Sequence, residues 1–264
     1  MTVVWNDLLS CLELRAHTSA FEGGDNLPLP YHRLFGGQLL AQFVRAASLT
    51  CPGKTVKSLN VLFAREGLTD EPVRYEVSVH HEGRTFATLT ITGRQTSGVV
   101  ASAAVSLHAA EDGPDHQMAF PATAVPGPEQ EIRLDLIPWE LRAATELDTP
   151  KAEAPEYELW MRTPEVDPEL APALTAYATD LSLIGTALRP VEGISQHDAR
   201  TAFTSAVTSH SVWFHRPFRT DEWLLLRQHS PILAHGRCFG RGDVLTEDGS
   251  LVASYAQEAL LRFR

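Results

Sequence analysis

Two stretches of this chain match at a constant offset of 151 residues, and that match limits the fold more than any other feature. SLNVLFAREGLTDE begins at Ser58 and SHSVWFHRPFRTDE at Ser209; in register they share Ser, Val, Phe, Arg, Thr, Asp and Glu. At nearly the same offset, Gly83-Arg84 answers Gly236-Arg237, and Val100-Ala101-Ser102 answers Val252-Ala253-Ser254. A pattern written twice folds as two copies of one supersecondary unit. The first copy reads as a helix over 33–49, with Leu39, Leu40, Phe43, Val44 and Ala47 at helical spacing. Alternating runs rich in Val, Thr, Leu and Phe follow at about 56–65, 72–80, 85–95 and 98–108, with Gly67, Asp70, Gly83 and Gly98 in the turns. The second copy has a helix over 173–189 and runs at about 205–216, 222–229, 235–246 and 250–262. Ahead of both, 3–16 reads as a short amphipathic helix and 17–32 as a loop.

A helix that is apolar nearly all round must be wrapped, and an antiparallel sheet must cover one apolar face. The economical solution is an α+β double hotdog: two tandem antiparallel sheets, each curled around a central helix and paired edge to edge, which also hides sticky edge strands. On this reading 1–110 is the N-terminal hotdog and 173–264 the C-terminal one. Residues 111–172 hold 10 of the 17 prolines and many acids, which argues for a connector without a packed core of its own. One short strand interrupts it at Tyr157–Arg162.

The 264 residues are 44% hydrophobic and 21% charged, a soluble globular composition with a formal net charge of -11. No basic run or basic helix occurs, which argues against nucleic acid and anionic membrane surfaces as partners. No apolar run is long enough to span a bilayer, and the N-terminus lacks the basic region of a signal peptide. Cys11, Cys51 and Cys238 have neither metal nor disulfide spacing, which suits a reducing cytoplasm.

The copies differ in an informative way. In the second helix, Leu174, Tyr177, Leu181, Ile184 and Leu188 form a buried stripe with Asp180 in its midst, and Arg189-Pro190 closes the segment. A lone buried carboxylate is costly and needs partners or a task. The simpler local reading makes Asp180 the N-cap of a helix starting at Leu181. Aligned by their apolar stripes, the two helices place Gly37 opposite Asp180, and the strand match places Val105 opposite Gln257. Polar groups at matched positions of one copy look like a site. An exposed strand residue remains the alternative for Gln257, because alternation does not say which face is buried.

Other chemistries lack their signatures. There is no G-x-S-x-G elbow and no glycine-rich phosphate loop. His80-His81 point to opposite faces of a strand, as do His210 and His215, so all four read as surface or edge histidines. Cys238 reads as a buried structural thiol, and Trp213 and Phe214 as core aromatics.

LFGGQLLAQ at 34–42, AYATDLSLIGTALRP at 176–190, SHSVWFHRPFRTDEWLL at 209–225 and GSLVASYAQEALLR at 249–262 together resemble the acyl-CoA thioesterase II (TesB-like) family of double-hotdog thioesterases. The resemblance implies hydrolysis of fatty acyl-CoA to free acid and CoA, with no cofactor, no metal and no covalent nucleophile. It also implies further association into a homo-oligomer. An Asp, a Gln and a Ser or Thr hold the attacking water in that family. The first two match Asp180 and Gln257, the positions that the repeat singles out. The third departs, because the matching residue is Val207. Thr208 and Ser209 are its neighbours. Ser209 shares the face of Val207 by alternation, and a bulge would bring Thr208 round instead. Gly36 and Gly37, at the start of the first helix, are candidate oxyanion donors or a plain loop pair. The repeat-matched Arg65, Arg84, Arg216 and Arg237 read as structural pairs. Two other functions fit the same fold. One is a non-catalytic acyl-thioester or lipid-binding module, favoured by Val207. The other is a thioester dehydratase, which would need a histidine beside Asp180 or Gln257.

Overall fold

The computed structural model describes residues 3–27, 33–121, 123–149 and 151–264. The N-terminal half opens with α1 (Trp5–Leu12) and a small hairpin of β1 (Arg15–His17) and β2 (Ala20–Glu22). It continues with α2 (Gly36–Thr50), β3 (Thr55–Phe63), β4 (Arg74–Glu82), β5 (Phe86–Gln95) and β6 (Gly98–His108). The middle of the chain holds β7 (Glu131–Ile132), β8 (Glu140–Arg142) and β9 (Glu156–Arg162). The C-terminal half has α3 (Ala171–Thr179), α4 (Leu183–Leu188), β10 (Phe203–Phe214), β11 (Leu224–Ala234), β12 (Arg237–Thr246) and β13 (Leu251–Phe263).

These strands form one antiparallel sheet in the order β1-β2-β4-β5-β6-β3-β10-β13-β12-β11-β9-β8-β7. The halves join where β3 pairs with β10, and the middle of that seam pairs Asn60 with Ser211. Those two residues are also 151 apart, so each is the other's repeat equivalent. An antiparallel pair centred on equivalent residues is the geometry of a local two-fold axis. The irregularities are duplicated too. Register shifts between Val56 and Ser58 and between Val207 and Ser209 leave Lys57 and Thr208 as equivalent bulge residues.

The sheet curls around the helices. Gly37 through Val44 of α2 are all buried, as is every residue of α3 except Pro172, which sits in the first turn where its missing N–H costs nothing. The expected single helix over 173–189 is broken into α3 and α4 at Asp180–Ser182. Asp180 lies at the C-cap of α3 with φ -80 and ψ -5, so it does not cap a following helix. Ser182 stands ahead of α4, and Gln228 on β11 donates to its Oγ at 2.8 Å and to Thr186 Oγ1 at 2.7 Å. Tyr255 donates to Gln228 Oε1 at 2.8 Å. This buried network ties α4 to the sheet and fixes the break.

The proline-rich middle differs from expectation. It adds two short strands besides β9, and it contributes Ile137, Trp139, Leu141 and Trp160 to buried apolar clusters. Trp139 stands edge-on to both Trp5 and Tyr177, and Tyr177 donates to Leu136 O at 2.6 Å. Prolines and acids keep the segment irregular, while its spaced aromatics still find the core. Arg189 is its anchor. Buried at the end of α4, it donates to Ala154 O at 3.0 Å, Glu146 O at 2.5 Å and Leu147 O at 3.3 Å, and it pairs with Glu153. Replacing it by an apolar residue strands several carbonyls. Arg189→Met is expected to lower unfolding stability by about 2–4 kcal/mol in urea titrations, with Arg189→Lys intermediate. Equal midpoints for the three proteins would show that the clamp contributes nothing.

Candidate active site

The break after α3 leaves Asp180 facing the start of α2. The Gly37 N–H donates to the Asp180 carboxylate, so a helix N-terminus with free amides receives the acid. Glycine is required there. A Cβ on Gly36 would lie 2.5 Å from Asp180 Oδ2, and one on Gly37 would lie 2.5 Å from Tyr177 O. Asp180 is only 7% exposed, and its Oδ1 makes no hydrogen bond among the described residues. Burial pushes its pKa from 3.8 up to about 7, with the Gly37 N–H pulling weakly the other way.

Gln257 lies directly across the β10–β13 ladder from His210, and both side chains are buried on the inner face. His210 Nδ1 is 2.9 Å from Gln257 Oε1 and 3.8 Å from Asp180 Oδ1. Its Nε2 is 3.0 Å from Thr179 Oγ1, at the last residue of α3. The ring stacks parallel to Tyr255 at 6.2 Å. Burial pushes the His210 pKa down to about 4, opposed by the bond to Gln257, so the ring is neutral at ordinary pH. Asp180 and Gln257, named from the repeat, thus come together around a histidine that the reading of the histidines leaves on the surface.

That expectation for His210 is corrected here, and the repeat held the signal. His210 answers Leu59, and Gln257 answers Val105; Leu59 pairs with Val105 just as His210 pairs with Gln257. An apolar cross-strand pair in one half is therefore a polar pair in the other. The other three histidines, His80, His81 and His215, are exposed. Trp213 is 40% exposed on the outer face, not a core aromatic, whereas Phe214 is buried.

The hydroxyls beside Val207 lie elsewhere. Thr208 is the extra residue of the bulge, so alternation does not carry through it. Val207 pairs with the buried Ala259 and shares the inner face with His210 and Gln257. Ser209 pairs with Glu258 and with the exposed Leu62 on the outer face, contrary to the alternation argument. Thr208 Oγ1 donates to Glu258 O at 3.1 Å and accepts from Arg237, which pairs with Glu258. Three repeat-matched arginines have structural partners: Arg65 donates to Ser97 O, Arg216 pairs with Asp115, and Arg237 with Glu258. Arg84 is exposed. Cys238 is a buried free thiol with its pKa pushed up to about 11 by burial. Among the described residues, no helix is long and apolar enough to cross a membrane.

Comparison with known proteins agrees with this architecture. Residues 27–108 match the family model of the acyl-CoA thioesterase N-terminal domain, and residues 108–261 match that of the C-terminal domain. Acyl-CoA thioesterase 2 of Haemophilus influenzae is 29% identical over 290 residues, covering 100% of this chain and 99% of its own. The crystal structure of acyl-CoA thioesterase II TesB2 from Mycobacterium marinum is 30% identical with a TM-score of 0.79, over 97% of this chain and 98% of that one. A conserved protein with a hot dog fold from Alicyclobacillus acidocaldarius gives a TM-score of 0.75 at 19% identity, over 97% of this chain and 98% of its own; that likeness shows the fold alone. Two family models that between them run from 27 to 261, on a double hotdog whose halves meet at equivalent residues, place this chain in the acyl-CoA thioesterase family, with the TesB-like thioesterase II proteins.

Proposed function

We propose that this acyl-CoA thioesterase hydrolyses its substrate with a water molecule deprotonated by Asp180 and held by Gln257. Ionised Asp180 accepts a proton from the water through Oδ1 as the water oxygen attacks the thioester carbonyl. The tetrahedral oxyanion that forms needs N–H donors. In the Gly36-Gly37 pair the Gly37 amide already serves the carboxylate, which leaves the Gly36 amide as the candidate donor. Collapse of the intermediate expels CoA as a thiolate, a fair leaving group because thiols ionise near pH 8–9. The observation that carries this reading is a buried carboxylate with one oxygen that makes no hydrogen bond among the described residues, 3.8 Å from the histidine that contacts an inward-facing Gln. Thr208 and Ser209 have no part in it. The third, hydroxyl-bearing position is filled by Val207, which contributes only apolar surface.

A dehydratase reading gains a histidine near Asp180 but nothing more. Both nitrogens of His210 already have protein partners, and its ring is fully buried.

The direct test follows free thiol release from acyl-CoAs of graded chain length. Asp180→Asn and Gln257→Ala are each expected to lower kcat at least about tenfold. Binding without thiol release by the unaltered protein would instead indicate a non-catalytic module. Because the base must be ionised, kcat/KM is expected to fall about tenfold per pH unit below about pH 7 and to level off above it. A profile flat from pH 5 to 9 would exclude Asp180 as the base.

Stability should move the opposite way. Between pH 3.8 and about 7 the folded protein holds a proton on Asp180 that the unfolded chain has lost, so the native state weakens as pH rises through that window. Above pH 7 the cost of the buried charge is complete, at most about 4 kcal/mol. Asp180→Asn is therefore expected to raise Tm at pH 8 and to leave it nearly unchanged at pH 3.5.

Val207→Thr puts a hydroxyl on the inner face at little steric cost. Activity is expected to hold or to rise up to about tenfold. A collapse in thiol release by this variant, with an unchanged melting curve, would contradict the role given to Val207.

A further inference from the structure

Thr179, His210 and Gln257 form a continuous chain from the end of α3 to β13, and its middle member, through His210 Nδ1, lies 3.8 Å from Asp180 Oδ1. We propose that His210 is a positioning residue: held as the neutral Nδ1–H tautomer, it fixes the amide of Gln257 with its carbonyl turned away from, and its N–H groups turned toward, the reacting centre. This rests on the thioesterase reading above and deepens it.

A neutral imidazole has one donor and one acceptor, so its two neighbours must offer complementary groups. At the Nδ1 end stands Gln257 Oε1, an acceptor, at 2.9 Å. That contact requires Nδ1 to carry the proton, and Nε2 then has a lone pair. At the Nε2 end stands the Thr179 hydroxyl, which is able to donate at 3.0 Å. The same hydroxyl also reaches Ala176 O at 2.9 Å. If its single proton went there, Nε2 would have to donate to Thr179, and Gln257 would have to turn its amide round. Asp180 breaks the tie. An ionised Oδ1 3.8 Å from Nδ1 attracts an N–H and repels a lone pair, so charge on the base selects the Nδ1–H form. The amide of Gln257 then presents its N–H donors inward. A water that accepts from Gln257 is held by its oxygen, with a proton free to point at Asp180. Among the described residues, the titratable groups set against the ring are Asp180 and Tyr255, whose phenol burial keeps protonated and which donates to Gln228.

The test uses the full-length protein at pH 8. Asn at 210 can place an N–H near the position of Nδ1, whereas Gln at 210 places one near Nε2. His210→Asn is expected to keep kcat within about fivefold of the parent. His210→Gln and His210→Leu are expected to lose at least about thirtyfold, with KM changed less than threefold. Equal losses for Asn and Gln, or a His210→Leu protein as active as the parent, would overturn the proposal. Because His210 is buried, Thr179→Val supplies a milder probe at the far end. It should lower kcat about three- to tenfold and be rescued by Thr179→Ser; an unaffected Thr179→Val protein would again count against it. A readout independent of turnover is the ring nitrogen-15 spectrum of histidine-labelled protein, assigned by difference with His210→Asn. A protonated Nδ1 and an unprotonated Nε2 are expected, and the reverse pattern would refute the assignment. If Asp180→Asn left the rate intact while the spectrum showed Nδ1–H, the base role would have failed and the tautomer assignment would stand.

Discussion

A single contact between helix ends organises the inner face of this protein: the first-turn amide of α2 on the carboxylate that terminates α3. Its two sides pull in opposite directions. The amino end of α2 favours negative charge, while Asp180 also sits at the carbonyl end of α3, which disfavours it. Burial adds to the second effect and wins, leaving a carboxyl that changes charge near neutral pH. A carboxylate stabilised much further would be too weak a base to take a proton from water, and one stabilised less would stay protonated at pH 7. The packing behind the contact is correspondingly tight. Gly36 leaves room for Oδ2, Gly37 for the Tyr177 carbonyl, and the Gln228 network holds α4 clear of the break.

Duplication explains how such a site is afforded by the fold. The two-fold relation at Asn60 and Ser211 makes the halves nearly interchangeable as scaffolds, down to the bulges at Lys57 and Thr208. One copy can keep the apolar pair Leu59–Val105 and its buried packing, while the other carries His210–Gln257 in the same backbone setting. Each buried polar group is costly alone, and each is offset here by a partner in the same cluster. Asp180 Oδ1, without a hydrogen bond among the described residues, is the exception, and it lies 3.8 Å from His210 Nδ1.

Much of this was legible in the residues. Alternation and helical spacing placed α2 and seven of the eight long strands to within about two or three residues, because those elements are long and strongly patterned; β11 runs to Ala234, five residues past its expected end. Comparing the copies isolated Asp180 and Gln257 without any outside alignment. It also contained His210, opposite Leu59, but His210 and His215, five apart and judged by strand parity alone, read as surface or edge residues. Two features lay beyond sequence rules. The bulge at Thr208 adds one residue to a strand and so changes the face of everything after it, and nothing in Val207-Thr208-Ser209 announces it. The strands β7 and β8 are two and three residues long, too short to show a period, so the burial of Trp139 and Leu141 could not be inferred from spacing.

The bulge also bears on why the third polar position of the family can be a valine. Because Thr208 is extruded, Val207 and not a hydroxyl takes the inner face, opposite Ala259, yet the outward Thr208 has its own work in the Arg237–Glu258 cluster. Drawing Thr208 into the ladder with Val207 kept inward would shift the rest of β10 by one residue and turn His210 out of the core. The bulge is therefore what lets Val207 and His210, three residues apart, share the inner face. On the mechanism proposed above, the cost is a missing hydroxyl beside the water, and the compensation is a Gln whose orientation is set from behind by His210 and Thr179. In that proposal one immobilised donor and one base suffice to define a line of attack, and the valine serves as a dry wall that keeps other water away from the acyl carbon.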